Sequence, residues 1–246
     1  MYVTIADIKP NAADVLGTPA AIIFMGGCNY KCPYCFVPEY LDEKKCKRLS
    51  IDEVVGLLQQ IKAQAVYITG GEPTQQGREL KMMCRYFKQM GLKVRVQTNG
   101  SNPGVVGELV TANLVDYLGI DVKAPFDDDK AWALITGGKG DAQKVRESVE
   151  IAQQQVFEGF FEVVYPVVPG VNDTKAAVTS VAKDVNYCGS FLIRGFDNTK
   201  KCVNPEFNKR APPTEAKLTE LADAARDNMV SVDVVRVRAL QGEAAL

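Results

Sequence analysis

Apolar and polar positions follow two rhythms along this chain. Short unbroken apolar runs recur between longer segments whose apolar positions fall three and four apart. Ala20-Ala21-Ile22-Ile23-Phe24-Met25 is the clearest run and reads as a parallel strand buried on both faces. Residues 66–69, 93–98, 117–123, 160–168, 191–196 and 232–237 continue the series, and Val3-Thr4-Ile5 reads as a short leading strand. Pro10 and Gly17-Thr18-Pro19 punctuate the stretch after it. Ser50-Ile51-Asp52-Glu53 has the spacing of a capping box and opens a helix with Val54, Val55, Leu57, Leu58 and Ile61 on its apolar face. Further helices are predicted over 78–90, 105–110, 144–154, 174–185 and 215–228. Residues 36–49 and 124–140 read as connections, the second a loop beside the site. Strand and helix alternating at short spacing predict an α/β fold, a parallel sheet with helices outside it. The pattern fits an open barrel and a doubly wound sheet equally.

The stretch that gives the pattern a chemistry is Gly26-Gly27-Cys28-Asn29-Tyr30-Lys31-Cys32-Pro33-Tyr34-Cys35, directly after the first buried run. Three cysteines in a C-x3-C-x2-C spacing on one short loop can surround one soft metal centre, and thiolates select zinc, copper(I) or iron–sulfur clusters. A closed zinc site wants four ligands, and the chain has no histidine to supply one; Cys46 is the alternative fourth ligand. A [4Fe–4S] cluster on three thiolates leaves one iron open to a substrate or cofactor. The plain alternative is a group of buried thiols.

Composition narrows this further. The 246 residues are 46% hydrophobic, enough for a sizeable core, and a single domain over 1–246 with a core at about 18–238 is expected. The net charge of −1 provides no global field for nucleic acid. The runs Lys44-Lys45-Cys46-Lys47-Arg48 and Lys200-Lys201 read as solvated faces. Seven cysteines, an odd number, together with an N-terminus lacking a basic region before an apolar core, predict reduced thiols and a cytoplasmic protein. No apolar stretch is long enough to span a membrane. Without histidine, chemistry must come from thiolates, carboxylates, lysines or a cofactor.

Cys28, Cys32 and Cys35, with Tyr34 before the last cysteine, resemble the cluster motif of the radical S-adenosylmethionine (SAM) superfamily. Thr69-Gly70-Gly71-Glu72-Pro73 resembles its GGEP segment. The resemblance implies a partial (β/α)6 barrel carrying a [4Fe–4S] cluster and SAM. Cleavage of SAM to a 5′-deoxyadenosyl radical is implied, with electrons from a low-potential donor of the flavodoxin or ferredoxin type. Glycines 70 and 71 allow close backbone approach to a ligand, and Glu72 can accept from SAM's amino group. Thr98 and Asn99 end the third central strand, where polar groups can face the same ligand. Asp121 and Lys123 share one strand face. Val168 resembles an adenine-contacting position. Cys84, Cys188 and Cys202 are expected as free thiols, Cys188 and Cys202 being the first candidates if a second cluster existed.

The resemblance extends over about 15–238. Gln97-Thr98-Asn99-Gly100-Ser101-Asn102-Pro103, Asp121-Val122-Lys123-Ala124-Pro125, Val167-Val168-Pro169-Gly170 and Asn204-Pro205-Glu206-Phe207 are similar to segments of glycyl-radical-enzyme activases. The most similar branch comprises the activating proteins of anaerobic ribonucleoside-triphosphate reductase. The resemblance implies a glycyl-radical-enzyme partner. The pattern departs at Phe36-Val37, where activases commonly carry His-Asn. It departs again at Gln97, where an Asp of the family helps position a monovalent cation. A small molecule or a tRNA nucleoside is the alternative substrate, and a non-catalytic iron–sulfur electron carrier the alternative role.

Overall fold

In the computed structural model, which describes residues 1–11, 18–154 and 159–238, nine strands form one sheet. Gly17, and position 15 where the family-like stretch begins, lie outside the described residues. The strands are β1 (Tyr2–Asn11), β2 (Ala20–Met25), β3 (Lys47–Ser50), β4 (Ala65–Gly70), β5 (Lys93–Thr98), β6 (Tyr117–Asp121), β7 (Phe160–Val167), β8 (Tyr187–Gly195) and β9 (Ser231–Arg238). Their order is β3-β1-β2-β4-β5-β6-β7-β8-β9, so β3 and β9 are the edges and the sheet is an open barrel. From β2 through β9 every pairing is parallel; β1 runs antiparallel to both β2 and β3.

The helices α1 (Ile51–Ile61), α2 (Gly77–Gln89), α3 (Pro103–Thr111), α4 (Asp129–Thr136), α5 (Ala142–Ala152), α6 (Lys175–Asp184), α7 (Pro205–Asn208) and α8 (Glu215–Arg226) connect the strands. The capping box at α1 is complete: the Ser50 hydroxyl accepts from the Glu53 N–H at 3.2 Å, and the Ser50 N–H donates to Glu53 Oε2 at 2.7 Å. Such a cap contributes about 1 kcal/mol. Val54 and Leu58 are buried on its inner face, whereas Leu57 is 36% exposed and does not belong to that face. The main core lies between sheet and helices, built from alternate strand positions such as Ala21, Ile23 and Met25 with Leu80, Met83 and Phe87 of α2.

Two connections hold more structure than their polarity predicts. Residues 124–140 are not a plain loop, because α4 occupies Asp129–Thr136, with Asp128 accepting from the Ala131 N–H at 2.9 Å. Trp132 and Ile135 are buried on one side of it, and Gly137 closes it in the left-handed conformation. Residues 36–49 contain two short 3₁₀ turns and the first three residues of β3.

Inside the barrel a second polar layer joins six strands, β4 to β9. Arg95 of β5 donates to Glu162 Oε2 of β7 at 3.1 Å, and its guanidinium lies 4.3 Å and 4.4 Å from the ring centroids of Tyr67 and Tyr117. Glu162 Oε1 accepts from Ser190 of β8 and from Arg236 of β9, and Arg236 also donates to the Tyr117 hydroxyl at 2.9 Å. These contacts tie the strands together through their side chains.

At the outer start of β5, Asp116 accepts from Lys88, Lys93 and the Val94 N–H at 2.8, 3.2 and 2.9 Å. Burial works against the charged form, but these donors hold the carboxyl below its usual value. Stability from this group is therefore complete above about pH 4, the ordinary aspartate value, and is lost as pH falls through the depressed folded value. Asp116→Asn is expected to give a shallower acid limb in thermal unfolding measured against pH; an unchanged limb would contradict that assignment.

Candidate active site

The parallel strands place their C-terminal ends at one mouth of the barrel, where α/β barrels carry their chemistry. Cys28, Cys32 and Cys35 line a cavity of about 140 Å³ there, together with Tyr34, Gly70, Gly71, Glu72, Thr98, Asn99, Asp121 and Lys123. Eleven of the twelve positions singled out in the sequence thus share one wall. Val168 is the twelfth and lies outside the lining. It is fully buried in a small apolar cluster with Tyr34, Ile135, Phe196, Cys202 and Phe207, which backs the cysteine loop.

The loop is pinned from three sides. The Gly27 N–H donates to the Tyr40 carbonyl, the Lys31 N–H to Thr136 at the end of α4, and the Cys35 carbonyl accepts from the Val203 N–H at 3.0 Å. The Pro33 carbonyl accepts from the Asn204 N–H at 2.9 Å. On the inner side, the Glu72 N–H donates to the Gly27 carbonyl at 2.7 Å, tying the loop to the Gly-Gly-Glu turn. Gly71 makes that approach possible: a Cβ there would lie 1.9 Å from the Gly27 oxygen. Gly70 turns the chain at φ +112°, a conformation reserved for glycine. Gly71→Ala is therefore expected to cost about 1–3 kcal/mol or more through overpacking, read by denaturant unfolding. An unshifted midpoint would contradict the contact.

Glu72 is 1% exposed and organises the turn after β5. Its Oε1 accepts from the Thr74 N–H at 3.0 Å, the Thr74 hydroxyl at 2.6 Å and the Thr98 hydroxyl at 2.6 Å; its Oε2 accepts from the Asn99 N–H at 2.7 Å. Burial pushes the carboxyl upward, and the four donors oppose it. A carboxylate has about four lone-pair directions, and Oε2, with one donor, retains room for a ligand's N–H. Asn99 extends the network through Asn29 to Ser101.

Asp121 and Lys123 form a 2.7 Å ion pair, and Gln97 Nε2 donates to the other Asp121 oxygen at 2.8 Å. Burial opposes the charged forms, yet Lys123 and Arg194 hold Asp121 below its usual value, and Asp121 and Tyr34 hold Lys123 well above its own. Gln97 has room to reach Asp121 because Gly119 faces it; a Cβ there would lie 2.1 Å from Gln97 Oε1. Arg194, Tyr30, Phe36, Val37, Leu41 and Thr69 also line the cavity. Arg194 had a legible signal, a lone charge inside the apolar run 191–196.

The cysteines suit a polynuclear cluster. All seven in the chain are unbridged. Burial, followed by Glu72, pushes the Cys28 thiol up to about 12, and burial pushes Cys32 up to about 11. Ionising them therefore calls for a cationic centre. A cubane holds its thiolates on separate irons, and the three thiols of the loop line one cavity. Cys46 is not in the lining, and its thiol packs against Gly26 and Asp42. Cys188 lies in the main core and Cys202 in the small cluster, so these two do not form a pair.

Comparison with known proteins agrees with this geometry. Residues 22–179 match the profile of the Radical SAM superfamily. A protein from Methanocaldococcus jannaschii, provisionally named a glycyl-radical enzyme activating enzyme, is 33% identical over 224 residues, covering 91% of this chain and 90% of that one. A 7-carboxy-7-deazaguanine synthase from Hyperthermus butylicus is 32% identical over 87 residues, 35% of this chain and 37% of its own. The fold of Streptococcus suis SuiB, solved bound to precursor peptide SuiA, superposes with a TM-score of 0.67 at 16% identity, over 89% of this chain and 48% of SuiB.

Proposed function

The chain belongs to the radical SAM superfamily, and on that footing we propose that it activates a glycyl-radical enzyme. A [4Fe–4S] cluster and SAM are the cofactors of the superfamily. Bound together, they supply one-electron cleavage of SAM to methionine and a 5′-deoxyadenosyl radical. Cys28, Cys32 and Cys35 would hold the cluster through three of its irons. Glu72 Oε2 would accept from SAM's ammonium, and Gly70 and Gly71 would let the backbone lie close to it. Thr98 and Asn99 keep the Glu72 carboxylate in place. Asp121 and Lys123 form the wall across the mouth. Tyr34, with Val168 and the apolar cluster behind it, shields the cysteine loop from water.

The abstraction balances simply. One hydrogen atom leaves the α-carbon of a partner glycine and joins the 5′ carbon, giving 5′-deoxyadenosine and a glycyl radical. A low-potential protein donor of the flavodoxin or ferredoxin type would supply the electron. The end-to-end relationship to the M. jannaschii protein carries the choice of substrate class. A partner reductase carrying deuterated glycine tests it: 5′-deoxyadenosine should gain one deuterium. Unlabelled 5′-deoxyadenosine formed in the presence of that partner would refute the assignment. The partial match to the deazaguanine synthase favours a small-molecule substrate as the second reading.

A further inference from the structure

We propose that Asn208 is a positioning residue for the cysteine loop, acting through the excursion of the chain over residues 197–210. The inference rests on the cluster reading above and adds the part of the chain that holds the third cysteine in place. After Gly195, at the end of β8, the chain leaves the sheet and enters no long element until α8 begins at Glu215. In between it lies along the back of the cysteine loop. The Val203 N–H donates to the Cys35 carbonyl at 3.0 Å and the Asn204 N–H to the Pro33 carbonyl at 2.9 Å, so Tyr34 is bracketed by two backbone bonds. Cys202 and Phe207 of the excursion pack with Tyr34 in the small apolar cluster, and Cys32 packs against that cluster from the loop side. Residues 197–210 lie outside the cavity lining. The excursion therefore reaches a bound cluster only through the loop.

The excursion has little secondary structure of its own, since α7 is a single turn. One side chain ties its two arms together. Asn208 Nδ2 donates to the Asn198 carbonyl at 3.2 Å and to the Lys200 carbonyl at 2.6 Å, and its Oδ1 accepts from the Cys202 N–H at 2.9 Å. One amide thus partners three backbone groups of residues 198–202, and the last of them directly precedes Val203. Two further bonds fasten the far end. Asn198 Nδ2 donates to the Arg210 carbonyl at 2.8 Å, and Arg210 Nη1 donates to the Pro169 carbonyl at 2.5 Å. The Arg210 guanidinium also stacks 4.0 Å from the Phe207 ring centroid. Position 208 calls for an amide: it offers two N–H donors and an acceptor on one planar group. A carboxylate of the same shape keeps only the acceptor and sets its second oxygen against two carbonyls. Without those donors the 198–202 arm rearranges, and the N–H groups of Val203 and Asn204 move with it. The shell behind metal ligands sets how well they are held, so the Cys32 and Cys35 thiols lose their placement.

Two measurements on the full chain test this, with Asn208→Asp and Asn208→Ala set beside Asp116→Asn. The last perturbs the Lys88, Lys93 and Val94 contacts at the outer start of β5 and leaves the excursion intact. Hydrogen exchange on the iron-free protein reads the Val203 and Asn204 amides directly. Both Asn208 variants should speed their exchange about tenfold or more through local opening, and Asp116→Asn should not. On anaerobically reconstituted protein, both Asn208 variants should release iron to excess chelator about tenfold faster or more. The electron paramagnetic resonance spectrum of the reduced protein should change with them, and Asp116→Asn should match the wild type in both. Asn198→Ala removes one tie only and should give a smaller shift in the same direction, which keeps the test decisive where an Asn208 variant does not fold. Wild-type exchange at both amides would overturn the proposal, as would faster exchange with wild-type iron release and spectrum. Equal acceleration in Asp116→Asn with an unchanged spectrum would also overturn it, since that is a general stability effect. A wild type that takes up no iron refutes the cluster reading instead; the exchange rates then still decide whether Asn208 fixes the excursion against the loop.

Discussion

Replacing any one of Cys28, Cys32 or Cys35 with alanine is expected to abolish 5′-deoxyadenosine formation, while Cys46→Ala retains it. All three thiols line the cavity beside Glu72, and Cys46 does not. Two thiolates do not hold a [4Fe–4S] cluster in the manner of three or four, so iron content after reconstitution should fall with activity. The fold should survive, because the loop is held by backbone bonds from Tyr40, Thr136, Val203 and Asn204 rather than by its sulfurs. Circular dichroism and iron analysis on the same samples check both halves. A Cys32→Ala protein that still cleaves SAM at the wild-type rate would end the cluster assignment.

Glu162→Ala is expected to destabilise the fold by about 3–5 kcal/mol, the usual cost of removing one partner from a buried ion pair. Glu162 is fully buried in the barrel and joins Arg95, Ser190 and Arg236. Its removal takes away the carboxylate that Arg95 and Arg236 share. The stacking of Arg95 between Tyr67 and Tyr117 persists and limits the loss. Glu162→Gln keeps the shape and one acceptor and should cost less. Denaturant unfolding gives both values, and a shift under about 1 kcal/mol for the alanine variant would show that the layer does not brace the barrel.

Much of this architecture was readable as pattern. A fully buried parallel strand such as β2 has no polar face, so its run is unbroken. The helices of the outer layer bury one stripe each, so their periodicity survives. The errors have local causes. Leu57 is apolar by composition, and a partly exposed leucine is an ordinary surface residue. Asp127-Asp128-Asp129 reads as polar loop, yet Asp128 is an N-cap, and Ala131, Trp132 and Ile135 bury the short helix it starts. At the site, the cysteine spacing and the Gly-Gly-Glu turn are local signals. The network around Asp121 is not, since Gln97, Lys123 and Arg194 are brought together by three strand ends. The layer around Glu162 was equally hidden, because charges in strands become partners only once the sheet curls.

Electron paramagnetic resonance tests the central claim most directly. The reduced, reconstituted protein is mixed anaerobically with SAM and the anaerobic ribonucleotide reductase of the same organism. The account predicts a glycyl-radical signal on the reductase, absent when Cys28, Cys32 and Cys35 are replaced. SAM cleaved to 5′-deoxyadenosine with no such signal would contradict the activase reading and direct the search to small-molecule substrates.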